Sequence, residues 1–283
     1  MGKIKKYLPN VIVAIVLIVG IGLLVYPTIS DCINELHSSK AIGSYVEKTK
    51  DLSKEEKEEL LKEAREYNET LVGQTNRYYL NEEQKNRYNH ILDVTKTGIM
   101  AYIEIPKLNV YMPIYHGTDE GVLQIATGHI PGSSFPVGGE STHSLISGHR
   151  GLPSAKLFTD IDQLKDGDLF FIYVFDEVLA YRVNQIKTVL PDEVETLEIE
   201  KGKDYVTLIT CTPYGVNSHR LIVRGERTVY KKTEPKIEDV IKKTNMKYIV
   251  MAAAGTLLTP IIIIFLILVY RMKRRKRGKL SEK

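Results

Sequence analysis

Two long apolar runs stand near the ends of the chain. Residues 11–26 and residues 248–270 contain no charged side chain. Each run approaches the roughly 20 residues that a helix needs to cross a bilayer. The pattern therefore predicts transmembrane helices over residues 7–26 and 248–270.

The uneven distribution of charge predicts the orientation of these helices. The net charge of +4 divides into +3 in residues 1–6, +7 in residues 271–283 and −6 in the residues between them. Basic residues beside a membrane helix favour the cytoplasmic side. We therefore expect two cytoplasmic tails, a lipid bilayer as a partner and an extracellular middle of the chain. Because the positive charge belongs to the tails, it does not indicate nucleic-acid binding.

Each apolar run has a second interpretation. The first run is short enough for a cleaved signal peptide, but residues 27–32 lack a clear small-x-small cleavage site, so an uncleaved anchor is favoured. The second run and its basic tail resemble a cell-wall sorting signal. No Leu-Pro-x-Thr-Gly sequence precedes it, so a plain membrane anchor is favoured there as well.

Between the runs, the periodicity changes from helical to β. Residues 27–99 form a charged, helix-favouring region, in which Ser53 and Glu56 have the spacing of a capping box. One apolar stripe at three- and four-residue spacing predicts a helix that packs on the domain: Leu60, Leu61, Ala64, Tyr67 and Leu71. Residues 100–230 contain short β-favouring runs at 101–105, 143–146, 169–174, 179–189, 205–210 and 221–227. Their turn-rich spacing predicts an antiparallel sheet or barrel, with a short helix within 154–164 and prolines between strands. Residues 231–247 form a charged connector.

The two cysteines, Cys32 and Cys211, leave three alternatives: a disulfide, a buried structural thiol, or a reactive Cys211. The residues after Cys211 favour reactivity. A turn-rich connection leads to Arg220, and a hairpin would set the two residues at facing strand ends. A guanidinium beside a thiol favours the thiolate and can bind an oxyanion.

Acyl transfer by a thiol also needs a proton donor, usually histidine. Four histidines crowd into one part of the predicted barrel: His116, His129, His143 and His149. Since no Cys-x-x-Cys or His-x-x-x-His pair is present, we expect no metal site and no cofactor. His149 follows Ser147 and Gly148 at the point where a predicted strand ends and a loop begins. Catalytic side chains are often found on loops.

Together these motifs resemble those of the sortase family. The sequence Thr-Leu-Ile-Thr-Cys at residues 207–211, followed nine residues later by Arg220, is similar to the sortase signature and its arginine. The sequence Ser-Gly-His-Arg-Gly-Leu-Pro at residues 147–153 resembles the family's histidine segment. The second apolar run and the helical region before the barrel are like class C, the pilus-assembling sortases.

The resemblance implies a mainly β fold, an eight-stranded barrel that carries a cysteine transpeptidase. Cys211 would attack the Thr–Gly bond of a Leu-Pro-x-Thr-Gly-like signal, His149 would transfer protons and Arg220 would bind oxygen atoms. Thr207 and Thr210 of the signature would contact substrate. Secreted pilins or surface proteins would be the partners, and a pilin lysine would be the second substrate. A housekeeping-type sortase that uses cell-wall peptide and a non-catalytic peptide-binding barrel are the alternatives.

One departure from class C concerns the lid before the barrel. Pilus sortases commonly anchor this lid with an Asp-Pro-aromatic motif, whereas this sequence has no proline from Thr28 to Ile105. We therefore expect the substrate-binding groove to be open in the resting enzyme. Tyr78 and Tyr79 offer a different cover, but a helix-packing role is favoured for them.

Overall fold

The fold was analysed in a computed structural model, which describes residues 2–193 and 197–230 together with residues 246, 248 and 249. Four α-helices are present in this part of the chain: α1, Gly2–Lys50; α2, Lys54–Leu71; α3, Glu82–His90; and α4, Glu120–Leu123. Two short 3₁₀ helices, Pro106–Leu108 and Ile161–Gln163, are also present. The second lies within residues 154–164, where the sequence predicts a short helix.

The first helix is continuous across two segments that the sequence pattern distinguishes. α1 passes through the predicted boundary at residue 26 and continues to residue 50, so the predicted span and the start of the predicted helical region share one helix. The change from apolar to polar side chains alters the surroundings of a helix and does not end its backbone hydrogen bonding. Among the described residues, no helix combines the length and the apolar content that a membrane span needs. The predicted connector, second span and basic tail lie outside the described residues, apart from residues 246, 248 and 249.

Eight strands close into one barrel in the order β1-β2-β3-β4-β7-β8-β6-β5. Their bounds are β1, Ile99–Ile105; β2, Val110–His116; β3, Thr127–His129; β4, Thr142–Ser147; β5, Leu169–Val174; β6, Glu177–Val189; β7, Asp204–Thr212; and β8, His219–Arg227. The predicted eight-stranded barrel is confirmed. The sheet is mixed rather than antiparallel, because β2 pairs with β3 and β4 pairs with β7 in parallel.

All six strands that the sequence predicts are present, and the two that it misses have a physical reason. Pro113, expected between strands, lies inside β2 opposite Tyr102 of β1. The pairing of β2 with β3 begins only at Ile114, after the proline. The Pro113 carbonyl oxygen accepts a hydrogen bond from the Thr127 hydroxyl at 2.8 Å. The other missed strand, β3, has only three residues, with Gly128 at its centre. Such a short segment is too brief for a recognisable run of β-favouring residues.

The helical region docks on the barrel as the apolar stripe predicts. Ser53 and Glu56 form the expected capping box at the start of α2. The stripe enters the main core, which fills the barrel and continues beneath α2 and α3. There, Tyr67 and Tyr88 pack against Phe135, with ring centroids 4.9 and 5.3 Å away.

A buried amide joins α2 to the barrel. The Asn68 side chain donates to the carbonyl oxygen of Phe135 at 3.1 Å and accepts from the Phe135 backbone N–H at 2.7 Å. Both residues are buried. The single side chain therefore satisfies both backbone polar groups of a core residue.

We expect Asn68→Ala to lower the free energy of unfolding by about 2 kcal/mol, because it leaves the buried N–H of Phe135 without a partner. The Phe135 carbonyl oxygen still accepts from the Val137 N–H at 2.8 Å. Chemical denaturation measures this loss. The exposed Asn89→Ala on α3 is the control and should change stability by less than about 0.5 kcal/mol. A loss at Asn68 no larger than at Asn89 would contradict this account of the α2 contact.

Candidate functional site

The β7–β8 hairpin sets Cys211 and Arg220 side by side. The two residues are directly opposite each other in the antiparallel register, as the hairpin hypothesis predicts. Opposite residues in such a pair have Cβ atoms about 5 Å apart. Cys211 is partly exposed. The Arg220 guanidinium donates to the backbone oxygens of Asn217 and His219 at 3.3 and 3.1 Å, so the connection between the strands holds it at the rim.

The parallel pair β4–β7 brings the histidine segment to the same strand end. Ser147 pairs with Ile209, and each strand then continues in the same direction. The Gly148 N–H donates to the Ile209 oxygen at 3.0 Å, and the Thr210 hydroxyl donates to the Gly148 oxygen at 2.7 Å. His149 and Cys211 each follow the Ser147–Ile209 pair by two residues. The register therefore sets them next to each other.

Contacts one residue further along strengthen this alignment. The Arg150 guanidinium donates to the Thr212 hydroxyl at 3.1 Å and also contacts the Asp162 carboxylate. Each partner in the Arg150–Thr212 pair is adjacent in sequence to a candidate catalytic residue. Arg150 thus ties the histidine segment to the end of β7. Sequence reasoning missed this role, for which adjacency to His149 is the only signal in the sequence.

Gly148 is required by the packing behind His149. A Cβ at this position would lie 2.7 Å from Cδ2 of Phe158, a side chain buried in the core. Because the glycine lets the ring approach, the Phe158 backbone N–H can donate to the His149 carbonyl oxygen at 3.1 Å. The backbone of His149 is thereby fixed, while its side chain stays partly exposed.

The other three histidines of the predicted cluster, His116, His129 and His143, are structural. Both ring nitrogens of His116 lie within 3 Å of backbone carbonyl oxygens, those of Gly98 and Ile91. Desolvation by burial lowers the pKa of His116, and it lowers the pKa of His129 to about 3 and that of His143 to about 4. These three imidazoles are therefore neutral near pH 7 and closed to substrate. Of the four, His149 is the partly exposed histidine, and it follows β4 at the end of the sheet where β7 carries Cys211.

His143 and the two signature threonines hold the site together from within. We expected His143 at the mouth of the strand, but it is buried and bridges the Glu198 oxygen at 2.8 Å and the Thr207 hydroxyl at 2.7 Å. Thr207 and Thr210 were expected to contact substrate. Both are buried with their hydroxyls hydrogen-bonded inside the protein, so they act on the site by positioning β4 against β7.

The outer face of the barrel beside Cys211 is apolar and covered. Since side chains alternate along a strand, Ile209 and Cys211 point to the same outer face of β7. Ile209 forms a small apolar cluster with three residues of the neighbouring strands: Leu145, Val189 and Ile222. Three partly buried side chains pack against this cluster: Tyr78, Ile130 and Leu197. Tyr78 therefore covers part of this face, and the open groove stays a prediction.

A buried arginine fixes this cover. The Arg77 side chain pairs with the Glu198 carboxylate at 2.8 Å and donates to the Leu197 oxygen at 2.8 Å and the Tyr78 hydroxyl at 2.9 Å. It therefore joins the α2–α3 connection to the connection between β6 and β7. The expected helix-packing role of Tyr78 and Tyr79 is also wrong, because Tyr78 packs on the strands and Tyr79 is exposed.

The cysteines are not joined to each other. Cys32 is buried in α1, and Cys211 is partly exposed at the end of β7, so the disulfide alternative is excluded. In the described part of the chain, no group of three or more His, Cys, Asp or Glu residues has the arrangement of a metal site.

Comparison with known proteins gives concordant matches. The sortase domain model matches residues 103–228. A curated relative, sortase A of Bacillus anthracis, is 31% identical over 131 residues, which cover 46% of this chain and 60% of the relative. The matched segment thus spans less than two thirds of that relative's length.

Solved structures cover more of the molecule. Sortase C1 of Streptococcus agalactiae is 46% identical with a TM-score of 0.65, over 68% of this chain and 100% of that one. Sortase C of Streptococcus pneumoniae is 42% identical with a TM-score of 0.62, over 69% of this chain and 100% of that one. The signature cysteine lies opposite its arginine, and the histidine segment follows β4 at the same end of the sheet. On these matches, this chain belongs to the sortase family of cysteine transpeptidases, and the solved structures it resembles are those of class C.

Proposed function

We propose that this protein cleaves a Leu-Pro-x-Thr-Gly-like sorting signal through a thioacyl-enzyme and transfers the acyl group to an amine of a second protein, a pilin lysine. The register of β7 carries this proposal. It sets Cys211 opposite Arg220 on one side and next to the His149 segment on the other. A nucleophile, a proton-transfer group and an oxygen-binding cation thereby converge on one partly exposed point.

The first half of the reaction forms the thioester. The Cys211 thiolate attacks the carbonyl carbon of the threonine, and the Arg220 guanidinium stabilises the negative charge that develops on the carbonyl oxygen. The C–N bond to glycine then breaks, and the glycine nitrogen leaves as an amine after taking a proton from the His149 imidazolium. The acyl group remains on the sulfur, and His149 is left neutral.

The second half returns the enzyme to its starting state. An amine nitrogen attacks the thioester carbon, the C–S bond breaks, and neutral His149 accepts a proton from that nitrogen. The solved sortase C of Streptococcus pneumoniae is described by its pilin substrate specificity, which supports a pilin lysine as the amine. Joining to cell-wall peptide would use the same steps and is the second candidate.

The cell envelope is the proposed location. The two apolar runs with basic flanks in the sequence support a membrane-anchored protein whose barrel is extracellular. Its substrates are secreted proteins with C-terminal sorting signals, which reach the outer face of the same membrane. The barrel would thus meet both substrates where they emerge.

The decisive test is detection of the thioacyl-enzyme. Full-length protein in detergent micelles is incubated with Leu-Pro-x-Thr-Gly peptides, and mass spectrometry locates the adduct. We expect the adduct on Cys211 and none in Cys211→Ala, while circular dichroism shows an unchanged fold. Cys32→Ala is the control and should retain the adduct. An adduct formed at the normal rate by Cys211→Ala would exclude this mechanism and leave a peptide-binding barrel as the function.

A second prediction concerns the choice among the histidines. We expect His149→Ala to abolish transpeptidation, because His116, His129 and His143, the other histidines of the cluster, are closed to the site. His143→Ala should retain measurable activity in its folded fraction, since the His143 ring is tied to Glu198 and Thr207. Product formation by chromatography measures both variants. An inactive His143→Ala beside an active His149→Ala, both folded, would show that the assignment is wrong.

A third prediction concerns the shape of the cation. Lysine keeps the charge of Arg220 but not its planar set of donors. If two donors bind the substrate oxygen, Arg220→Lys should lower kcat/KM about 100-fold, comparable with the loss of one oxyanion-binding donor. Steady-state cleavage of the peptide measures the effect. A rate near that of the unsubstituted enzyme would reduce Arg220 to a general electrostatic role.

A further inference from the structure

One carboxylate stands beside the proposed proton-transfer group. Glu120 is the first residue of α4, and its Oε2 lies 3.6 Å from Nε2 of His149. The Glu120 side chain is 72% exposed and that of His149 is 27% exposed, so the pair lies at the mouth of the site. Within the described part of the chain, no other carboxylate forms an ion pair with His149 or Arg220.

Glu120 is held in this place and is ionised. The Gln124 side-chain amide, one helical turn later, donates to Oε1 and leaves Oε2 directed to His149. The hydrogen bond from Gln124, together with the charge of His149, keeps the pKa of the Glu120 carboxyl below its usual value. At neutral pH the mouth of the site therefore carries a fixed negative charge on the His149 side of Cys211.

The Glu120 carboxylate loses its cationic partner, the His149 imidazolium, halfway through the proposed reaction. In the resting enzyme an imidazolium on His149 would pair with Glu120. Once His149 has protonated the leaving amine it is neutral, and Glu120 is then an exposed anion beside a base. The incoming lysine is an ammonium near pH 7, because the ordinary pKa of lysine is about 10.4. A cation of this kind is attracted to the point that the imidazolium charge has vacated.

We propose that Glu120 binds the ammonium group of the incoming amine substrate and delivers it to His149 and the thioester. This inference rests on the proposed transpeptidase function and adds the residue that recognises the second substrate. The recognition works on charge, so it selects cationic amines over water and over neutral nucleophiles.

The proton balance of the step is complete. The bound ammonium releases one proton to water and becomes the free amine. Its nitrogen forms a bond to the thioester carbon, and the C–S bond breaks to give the Cys211 thiolate. The second proton passes from the same nitrogen to His149. The products are an amide, a thiolate and an imidazolium, and Glu120 pairs with the imidazolium again.

The test compares a charged and an uncharged nucleophile on the same thioacyl-enzyme. Full-length protein in detergent micelles receives a Leu-Pro-x-Thr-Gly peptide with either a lysine-containing peptide or hydroxylamine, which is largely uncharged at neutral pH. The ratio of amine product to hydrolysis product is measured against nucleophile concentration. For Glu120→Gln we expect this ratio to fall about fivefold with the lysine peptide, the size of one exposed ion pair. With hydroxylamine the ratio should stay the same.

The neighbouring carboxylate supplies a matched control. Asp119 is also exposed and differs from Glu120 in having no ion pair with His149 among the described contacts. Asp119→Asn removes the same charge and should leave both ratios unchanged.

The other outcomes overturn the proposal. An equal fall with both nucleophiles would mean that Glu120 acts only through His149, and no change with either would mean that it does not bind the amine. An equal effect of Asp119→Asn would reduce the result to overall charge. If the unsubstituted enzyme forms no thioester adduct, the proposed function itself fails and this inference with it.

Discussion

The pairing of β7 with two different neighbours is the constraint on which the site depends. Its antiparallel register with β8 sets Arg220 opposite Cys211, and its parallel register with β4 carries His149 to the same end. A slip of one residue in either register would turn the side chains of one strand to the opposite face. The buried hydroxyls of Thr207 and Thr210 oppose such a slip, because each bonds a fixed partner on the β4 side.

Burial separates the structural histidines from His149, the proposed acid–base group. His116, His129 and His143 lie inside the protein, where desolvation keeps each ring neutral and its hydrogen bonds join segments distant in sequence. These rings act as rigid polar links in an otherwise apolar interior. His149 differs because Gly148 and Phe158 fix its backbone while its ring remains at the surface. An acid–base group needs this combination of fixed position and access to solvent.

The covered outer face links the helical region to the barrel strands of the site. Arg77 is buried and joins Tyr78 to the β6–β7 connection through Glu198. Glu198 also offers its backbone oxygen to His143, which in turn bonds Thr207 of β7. The contacts therefore form a continuous path from the α2–α3 connection to the signature strand. The same strand carries Cys211 at its end, so these contacts also support the position of Cys211.

The sequence by itself determined the local features of this protein. Short β-favouring runs bounded by turn residues predicted six of the eight strands, and the capping box marked α2. The turn-rich connection after Cys211 predicted the hairpin that sets Cys211 opposite Arg220. Each of these signals lies within a few neighbouring residues. Other features needed the tertiary structure. The strand containing Pro113, the cover by Tyr78 and the pairing of Glu120 with His149 depend on contacts between residues far apart in the chain, and local patterns carry no record of such contacts.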